Sequence, residues 1–335
     1  MALPASLRDI PDMWKETYGL VAQVPTGKVT TYGEVAKALG DIVASRFVGL
    51  AMSMNDDIVR VPCRRVVQSD GFVGGYTGGG PSKKARLLRH EGVEVVGLKV
   101  VNLYRYLFSE KDFESSYPLR RLKARQLSLK RRLDTSASEN AFQKVAGVDV
   151  AYDGDRAFAA MVLFDFETGE EIGRTVVEGV AKFPYIPTYL AFREIPVIAP
   201  LMARLERDTV VMYDGNGILH PEGLGITSQV GILYDVPTIG VAKKLLCGSV
   251  VGRPGSSIAR VVEGGRTIGH AVARAGELGA KPVYVSAGHG LSSEQAVSIA
   301  VRFMRHRVPE PTRQAHIAAE AARRAAASNT SARSR

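Results

Sequence analysis

A carboxylate set in the middle of an apolar run narrows the folds open to this chain more than any other feature. Asp149 stands in KVAGVDVAY, where its neighbours read as a buried strand. A lone charge in such a place is costly unless something pairs with it. Three further polar groups keep similar company: Glu194 in FPYIPTYLAFRE, Asp214 in TVVMYDGNGILHP and His289 in PVYVSAGHG. Carboxylates gathered at strand ends repel one another. The pattern therefore predicts a divalent cation shared by Asp149, Glu194 and Asp214. Mg²⁺ suits that donor set, with Mn²⁺ as a substitute, because it keeps several waters and also binds phosphate oxygens. His289, at the end of the last strand, is expected to complete the site or to handle a proton. Taken singly, each aspartate reads better as a strand-end cap; four such groups on successive element ends do not.

The surrounding pattern gives the fold class. KVAGVDVAY and AFAAMVLFDF read as a buried hairpin, EEIGRTVVEG as a third strand, and TVVMYDGNG, VPTIGVAKK and PVYVSAGHG as short strands. Helical spacing lies between them at Ile198–Leu205 and in SSEQAVSIAVRFMRH. Antiparallel strands followed by alternating strand and helix predict an α/β domain with a mixed central sheet flanked by helices. It is expected over residues 136–308.

The remainder is organised differently. A chain of 335 residues, 45% of them hydrophobic, suits two domains. Residues 1–110 are expected to form a mostly α-helical first domain. Thr31, with Glu34 three residues on, reads as a capping box, Gly40 as the helix end, and a second helix is expected from about Val43 to Met54. Helix, turn, helix is the geometry of many DNA-reading modules. After it come Pro62–Cys63–Arg64–Arg65, a glycine-rich turn and a helix from Pro81 to about His90. A cysteine beside two arginines should favour its thiolate, a strong nucleophile; the plain alternative is a buried structural cysteine.

Residues 111–135 read as a basic helical linker. Arg120, Arg121, Lys123, Arg125, Lys130, Arg131 and Arg132 come without an acid between them, and Leu119, Leu122, Leu129 and Leu133 keep helical spacing. Residues 309–335 read as a basic tail with a frayed end. The net charge of +10 favours a polyanionic partner. Cys63 and Cys247 make no disulfide framework. No apolar run approaches the roughly 20 residues that cross a bilayer. A cytoplasmic monomer without a membrane partner is expected.

Two resemblances follow from these motifs. From about Asp12 to Gly92 the chain resembles the active-site domain of O6-alkylguanine-DNA alkyltransferases, through VPTGKVTTYGEVA, SRFVGLAMSMN, PCRRVV, GGYTGGG and LLRHEG. The resemblance implies that Cys63 accepts the alkyl group from a flipped guanine. Tyr32 would rotate the 3′ phosphate, Arg46 would fill the space of the flipped base, Asn55 would order the active-site turn, and Glu91 would end the proton chain. The family has histidine after the cysteine; this chain has Arg64, which stays charged and cannot shuttle a proton. Alkyl transfer and mere sensing of alkylated bases are therefore the two readings of this domain.

From about Leu127 to Arg307 the chain resembles endonuclease V, a deoxyinosine-specific nuclease with a ribonuclease H-like fold. The motifs are AGVDVAY, FPYIPTYLAFRE, DGNGILHPEGLGITSQVG, PTIGVAKK and YVSAGH. The resemblance implies Mg²⁺ on Asp149, Glu194 and Asp214, with His289 nearby and Lys243 beside the scissile phosphate. It places His220 in the lesion pocket, and Pro184, Tyr185, Ile186 and Pro187 as a wedge beside the flipped base. Stiff prolines around Tyr185 and Ile186 suit intercalation. Glu222, Gly223 and Gly290 depart from residues common in the family and touch the lesion-strand contacts rather than the metal site. Together the resemblances imply a bifunctional DNA-repair protein acting on damaged duplex or single-stranded DNA. Cleavage is expected at the second phosphodiester 3′ to the lesion; cleavage of inosine in RNA is the alternative substrate.

Overall fold

The computed structural model describes residues 4, 7–139, 141–252, 256–274 and 281–333. The chain divides into two compact units. One comprises Asp9–Ala124 with Phe183–Tyr189; the other comprises Met1–Arg8, Arg125–Lys182 and Leu190–Arg335. No described helix is long and apolar enough to cross a membrane.

The first unit is mostly helical. Its elements are α1 (Met13–Ala22), β1 (Thr30–Thr31), α2 (Tyr32–Leu39), α3 (Ser45–Ser53), β2 (Val66–Val67), α4 (Gly80–His90), β3 (Val95–Val96), β4 (Lys99–Val100) and α5 (Leu103–Tyr106). Helix α6 (Pro118–Leu129) begins in it. Thr31 caps α2 by accepting from the Glu34 amide at 3.1 Å, and Gly40 ends the helix in the left-handed region at φ 111°. The expected capping box is only half made. The Glu34 carboxylate turns instead to Lys37 Nζ at 2.7 Å and the Glu110 amide at 2.6 Å. Charge-assisted partners thus win over the helix's own first amide. On α3, Phe47, Val48, Ala51 and Met52 are buried, while Arg46, Leu50 and Met54 face out. Short β1 runs parallel to β2, pairing Thr30 with Val66 and Thr31 with Val67.

The second unit is built on a nine-stranded mixed sheet. Its strands are β5 (Lys144–Asp153), β6 (Arg156–Asp165), β7 (Glu171–Val180), β8 (Thr209–Asp214), β9 (Thr238–Ala242), β10 (Ser249–Val251), β11 (Ile258–Glu263), β12 (Arg266–Val272) and β13 (Val283–His289). Their order is β10-β11-β12-β13-β9-β8-β5-β6-β7. The hairpin expected from sequence is β5–β6, ten residues in register. Strands β8 and β9 run parallel to β5, and β13 runs antiparallel to β9. Strands β10 to β12 add to those read from sequence: β10 and most of β11 are exposed, whereas β12 is buried from Gly269 to Val272.

Among the described residues this unit also holds the end of α6 and helices α7 (Leu190–Met202), α8 (Ile226–Tyr234), α9 (Ser293–Arg302) and α10 (Glu310–Arg333). The residues read as a basic tail thus form α10, whose Ala315, Ala318 and Ala319 join the core under the sheet. Small side chains let the helix lie close. A Cβ at Gly147 on β5 would overlap the Pro311 carbonyl, so only glycine fits at that point. Residues 334 and 335, part of the end read as frayed, lie outside the described residues.

Candidate functional sites

Sheet register alone brings two carboxylates together. Val148 on β5 pairs with Tyr213 on the parallel strand β8, so Asp149 and Asp214, one residue further along each strand, stand side by side. The β5–β8 pairing ends here: β5 runs on to Asp153 against β6, while β8 stops at Asp214 and the chain turns away through Gly215. Asp149 has 13% of its side chain exposed. Burial, and then the Asp214 charge, push its carboxyl above the usual carboxylate range.

A third group comes from α10. His316 Nδ1 lies 2.7 Å from Asp149 Oδ2. One ligand atom from each of Asp149, Asp214 and His316 falls within 4.8 Å of the others. Lys243, just past β9, places Nζ 2.6 Å from Asp214 Oδ2. Two carboxylates and an imidazole crowded at one spot make a donor set that suits a divalent cation, which would offset their mutual repulsion.

Glu194, on the inner face of α7, lies behind this group. It is 8% exposed, and both oxygens accept phenol hydrogen bonds: from Tyr213 at 2.7 Å and from Tyr152 at 3.0 Å. Burial pushes its pKa up to about 7, even though the two phenols favour its charged form; Asp149 and Asp214 add to the rise. Arg193 stacks 4.3 Å from the Tyr152 ring centre. The three carboxylates named from sequence thus occupy one neighbourhood, with Glu194 turned towards its tyrosines.

His289 does not join them. Its strand, β13, runs against β9, and His289 pairs with Thr238, at the level of Val211 on β8. Asp214 is three residues further along β8, about 10 Å at strand spacing. The end of an antiparallel strand is the opposite edge of the sheet. There His289 Nδ1 accepts from the Asp134 amide at 3.1 Å, and the Gly290 amide donates to Asp134 O at 2.8 Å. The histidine fastens the segment leading into the sheet. The histidine at the carboxylates is His316, which sequence reasoning passed over inside an Ala/Arg-rich helix. No apolar periodicity marks it, because His316 is an exposed residue beside the core-facing Ala315 and Ala319 of the same helix.

The loop after β8 packs tightly. Gly217 donates to Ser286 Oγ at 2.9 Å, and a Cβ there would overlap the Ala287 carbonyl. Asn216 Oδ1, Thr227 Oγ1 and Ser228 Oγ are buried without a hydrogen-bond partner. His220 is 8% exposed, and its Nδ1 accepts from the Glu222 amide at 3.2 Å. In the expected wedge only Tyr185 projects, at 65% exposure, while Pro184 and Ile186 are buried. The segment alternates in and out, so Ile186 is not on offer for intercalation in this conformation.

In the first unit, Cys63 opens a single 3-10 turn (Cys63–Arg65) ahead of β2 and is 3% exposed. It lines a cavity of about 370 Å³ with Tyr32, Met52, Gly75, Tyr76 and Thr77. Asn55 closes the approach to this turn, donating to Val61 O at 3.0 Å and accepting from the Asp57 amide at 3.2 Å. Arg46 stands exposed in the first turn of α3. The guanidinium groups expected to face the thiol are engaged elsewhere. Arg64 Nε donates to Glu91 Oε1 at 2.6 Å and Arg65 Nε to Glu91 Oε2 at 2.7 Å. Despite burial, the two arginines hold the Glu91 carboxyl below its usual range.

Comparison with known proteins finds a match for each half of the chain. The profile of Endonuclease V matches residues 125–317, and that of the 6-O-methylguanine DNA methyltransferase DNA-binding domain matches residues 12–93. A bifunctional methyltransferase/endonuclease of Picrophilus torridus is 40% identical over 239 residues, covering 71% of this chain and 77% of its own. Another, of Thermoplasma volcanium, is 36% identical over 260 residues, covering 77% and 78%. Among solved structures, endonuclease V of Ciona intestinalis, in complex with a 24mer DNA containing an inosine followed by a ribo-adenosine, is 27% identical. It covers 62% of this chain and 98% of that one, with a TM-score of 0.54.

Proposed function

The chain belongs to the endonuclease V family, and on that footing we propose that it is a bifunctional DNA-repair enzyme. Its second unit nicks DNA near deoxyinosine with Mg²⁺, at the second phosphodiester 3′ to the lesion. Its first unit transfers alkyl groups from O6-alkylguanine to Cys63. The observation that carries the nuclease reading is the side-by-side placement of Asp149 and Asp214 with His316 and Lys243 around them. The order β7-β6-β5-β8-β9, three antiparallel strands then two parallel ones, supports a ribonuclease H-like arrangement.

Asp149, Asp214 and His316 would hold the cation, with Glu194 as the reserve carboxylate behind them. Bound there, Mg²⁺ supplies an activated water and charge stabilisation at the scissile phosphate. Lys243 presents a fixed positive charge beside that position, where negative charge grows as the P–O bond breaks. Tyr185 is the one exposed wedge side chain, suited to stack where a flipped base has left. The unpartnered polar atoms of Asn216, Thr227 and Ser228 support a base-reading role for the loop after β8.

One observation favours a second reading of the first unit. With Glu91 clamped between Arg64 and Arg65, no relay leads from Cys63 through residue 64, which suits a unit that only senses alkylated bases. A paired assay tests both halves: a deoxyinosine duplex with Mg²⁺, and a labelled O6-methylguanine duplex without it. Incision abolished by chelation and by Asp149→Asn, and label transferred to Cys63 but not to a Cys63→Ala variant, are the expected results. Unlabelled Cys63 supports sensing. Faster cutting of a matched inosine RNA strand would make RNA the substrate.

A further inference from the structure

Lys84, on α4, is a buried charge that no step above uses. It is 1% exposed. Its Nζ donates to Val66 O at 2.6 Å and to Gly75 O at 3.1 Å. An ammonium carries three N–H donors, and the third has no acceptor among the described residues. Both acceptors belong to the Cys63 site. Gly75 lines the same cavity as the thiol, and Val66 directly follows the Cys63–Arg65 turn. Burial pushes the Lys84 pKa down to about 8, and the Cys63 charge pulls it back up.

The other groups around the thiol do not supply a counter-charge. Tyr18, Tyr32 and Tyr76 are phenols held neutral by burial, and a Cys63 charge pushes each further up. Asp56 is negative. Arg64 and Arg65 are committed to Glu91. We propose that Lys84 is the counter-charge of the Cys63 thiolate in this chain and acts as a positioning residue for alkyl transfer, in the absence of a histidine after the cysteine. This rests on the alkyl-transfer reading above. In the step itself the thiol releases its proton to solvent and the sulfur attacks the alkyl carbon. The S–C bond forms as the C–O6 bond breaks, and the electron pair passes to guanine, which takes one proton from solvent. Lys84 keeps its proton throughout.

The test follows carboxamidomethylation of Cys63 by iodoacetamide in the full chain, read by mass spectrometry from roughly pH 5 to pH 9. In Lys84→Met the half-maximal rate should move up by about one pH unit or more, and Lys84→Arg should restore most of the loss. Arg64→Met should move it by less than half as much. An unmoved profile in folded Lys84→Met overturns the proposal. A second measurement covers a variant that does not fold: the Lys84 titration, read by NMR of labelled lysine side chains, in the unmodified protein and in Cys63→Ser. Loss of the thiolate should lower the Lys84 midpoint by about half a unit or more; no change overturns the proposal. If the coupling is present but no label passes from an O6-methylguanine duplex, the alkyl-transfer reading falls and the thiolate pairing stands.

Discussion

Glu194 shows how a single buried side chain couples proton binding to stability. Its pKa in the folded protein is about 7, above the ordinary value near 4.3. A raised carboxyl contributes stability that is fully present below the ordinary value and is lost as pH rises through the folded one. The metal-free protein should therefore lose about 3 kcal/mol of stability between roughly pH 4.5 and pH 7 from this group. Added divalent metal should stabilise more strongly across the same window, because binding needs the deprotonated ligands. Denaturant midpoints with and without metal check this, and Glu194→Gln should flatten the metal-free difference. An equal slope in that variant would place the proton elsewhere.

At the scale of elements, the α10–β5 contact joins the fold to the chemistry. Gly147→Ala would push the Pro311 carbonyl, and α10 with it, off the sheet, costing about 1–3 kcal/mol. It should also weaken incision by on the order of tenfold or more by moving His316, though Asp149 stays on its strand. A melting curve and a metal titration on the same variant check both. The wedge makes a contrasting pair. Tyr185→Ala should weaken binding of deoxyinosine DNA with stability unchanged, whereas Ile186→Ala should cost about 2–4 kcal/mol of stability, because Ile186 is fully buried. Equal effects in the two variants would mean the segment rearranges in free solution.

Those elements also mark what the sequence reveals and what it withholds. The hairpin β5–β6, the capped start of α2 and the carboxylate pair were legible because each depends on local pattern: apolar runs, a Thr–Glu spacing, a charge in a strand. His289 was misplaced because position within a strand says nothing of strand direction, and direction decides which sheet edge its end reaches. His316 was missed because its partner, Asp149, is 167 residues away in sequence. Whether Glu91 meets the thiol or the arginines was equally invisible, since it depends on where α4 and the Cys63 turn come to rest.

For the whole molecule, the two proposed chemistries draw on separate residues. Cys63→Ser should leave incision of deoxyinosine DNA within about twofold, and Asp149→Asn should leave label transfer to Cys63 similarly intact. A larger loss in either cross-test would mean that occupancy of one half governs the other. The net charge of +10 would draw a polyanion to either half.

The placement of His316 on α10 carries a consequence for how the protein comes into being. Translation delivers Asp149 first, then Asp214, and this imidazole only after every strand of the sheet has been made. A nascent chain, or one shortened by a premature stop before Glu310, would have the carboxylate pair without the His316 imidazole and without the helix that covers Gly147. The proposed cutting centre would thus be completed only with the last helix of the chain.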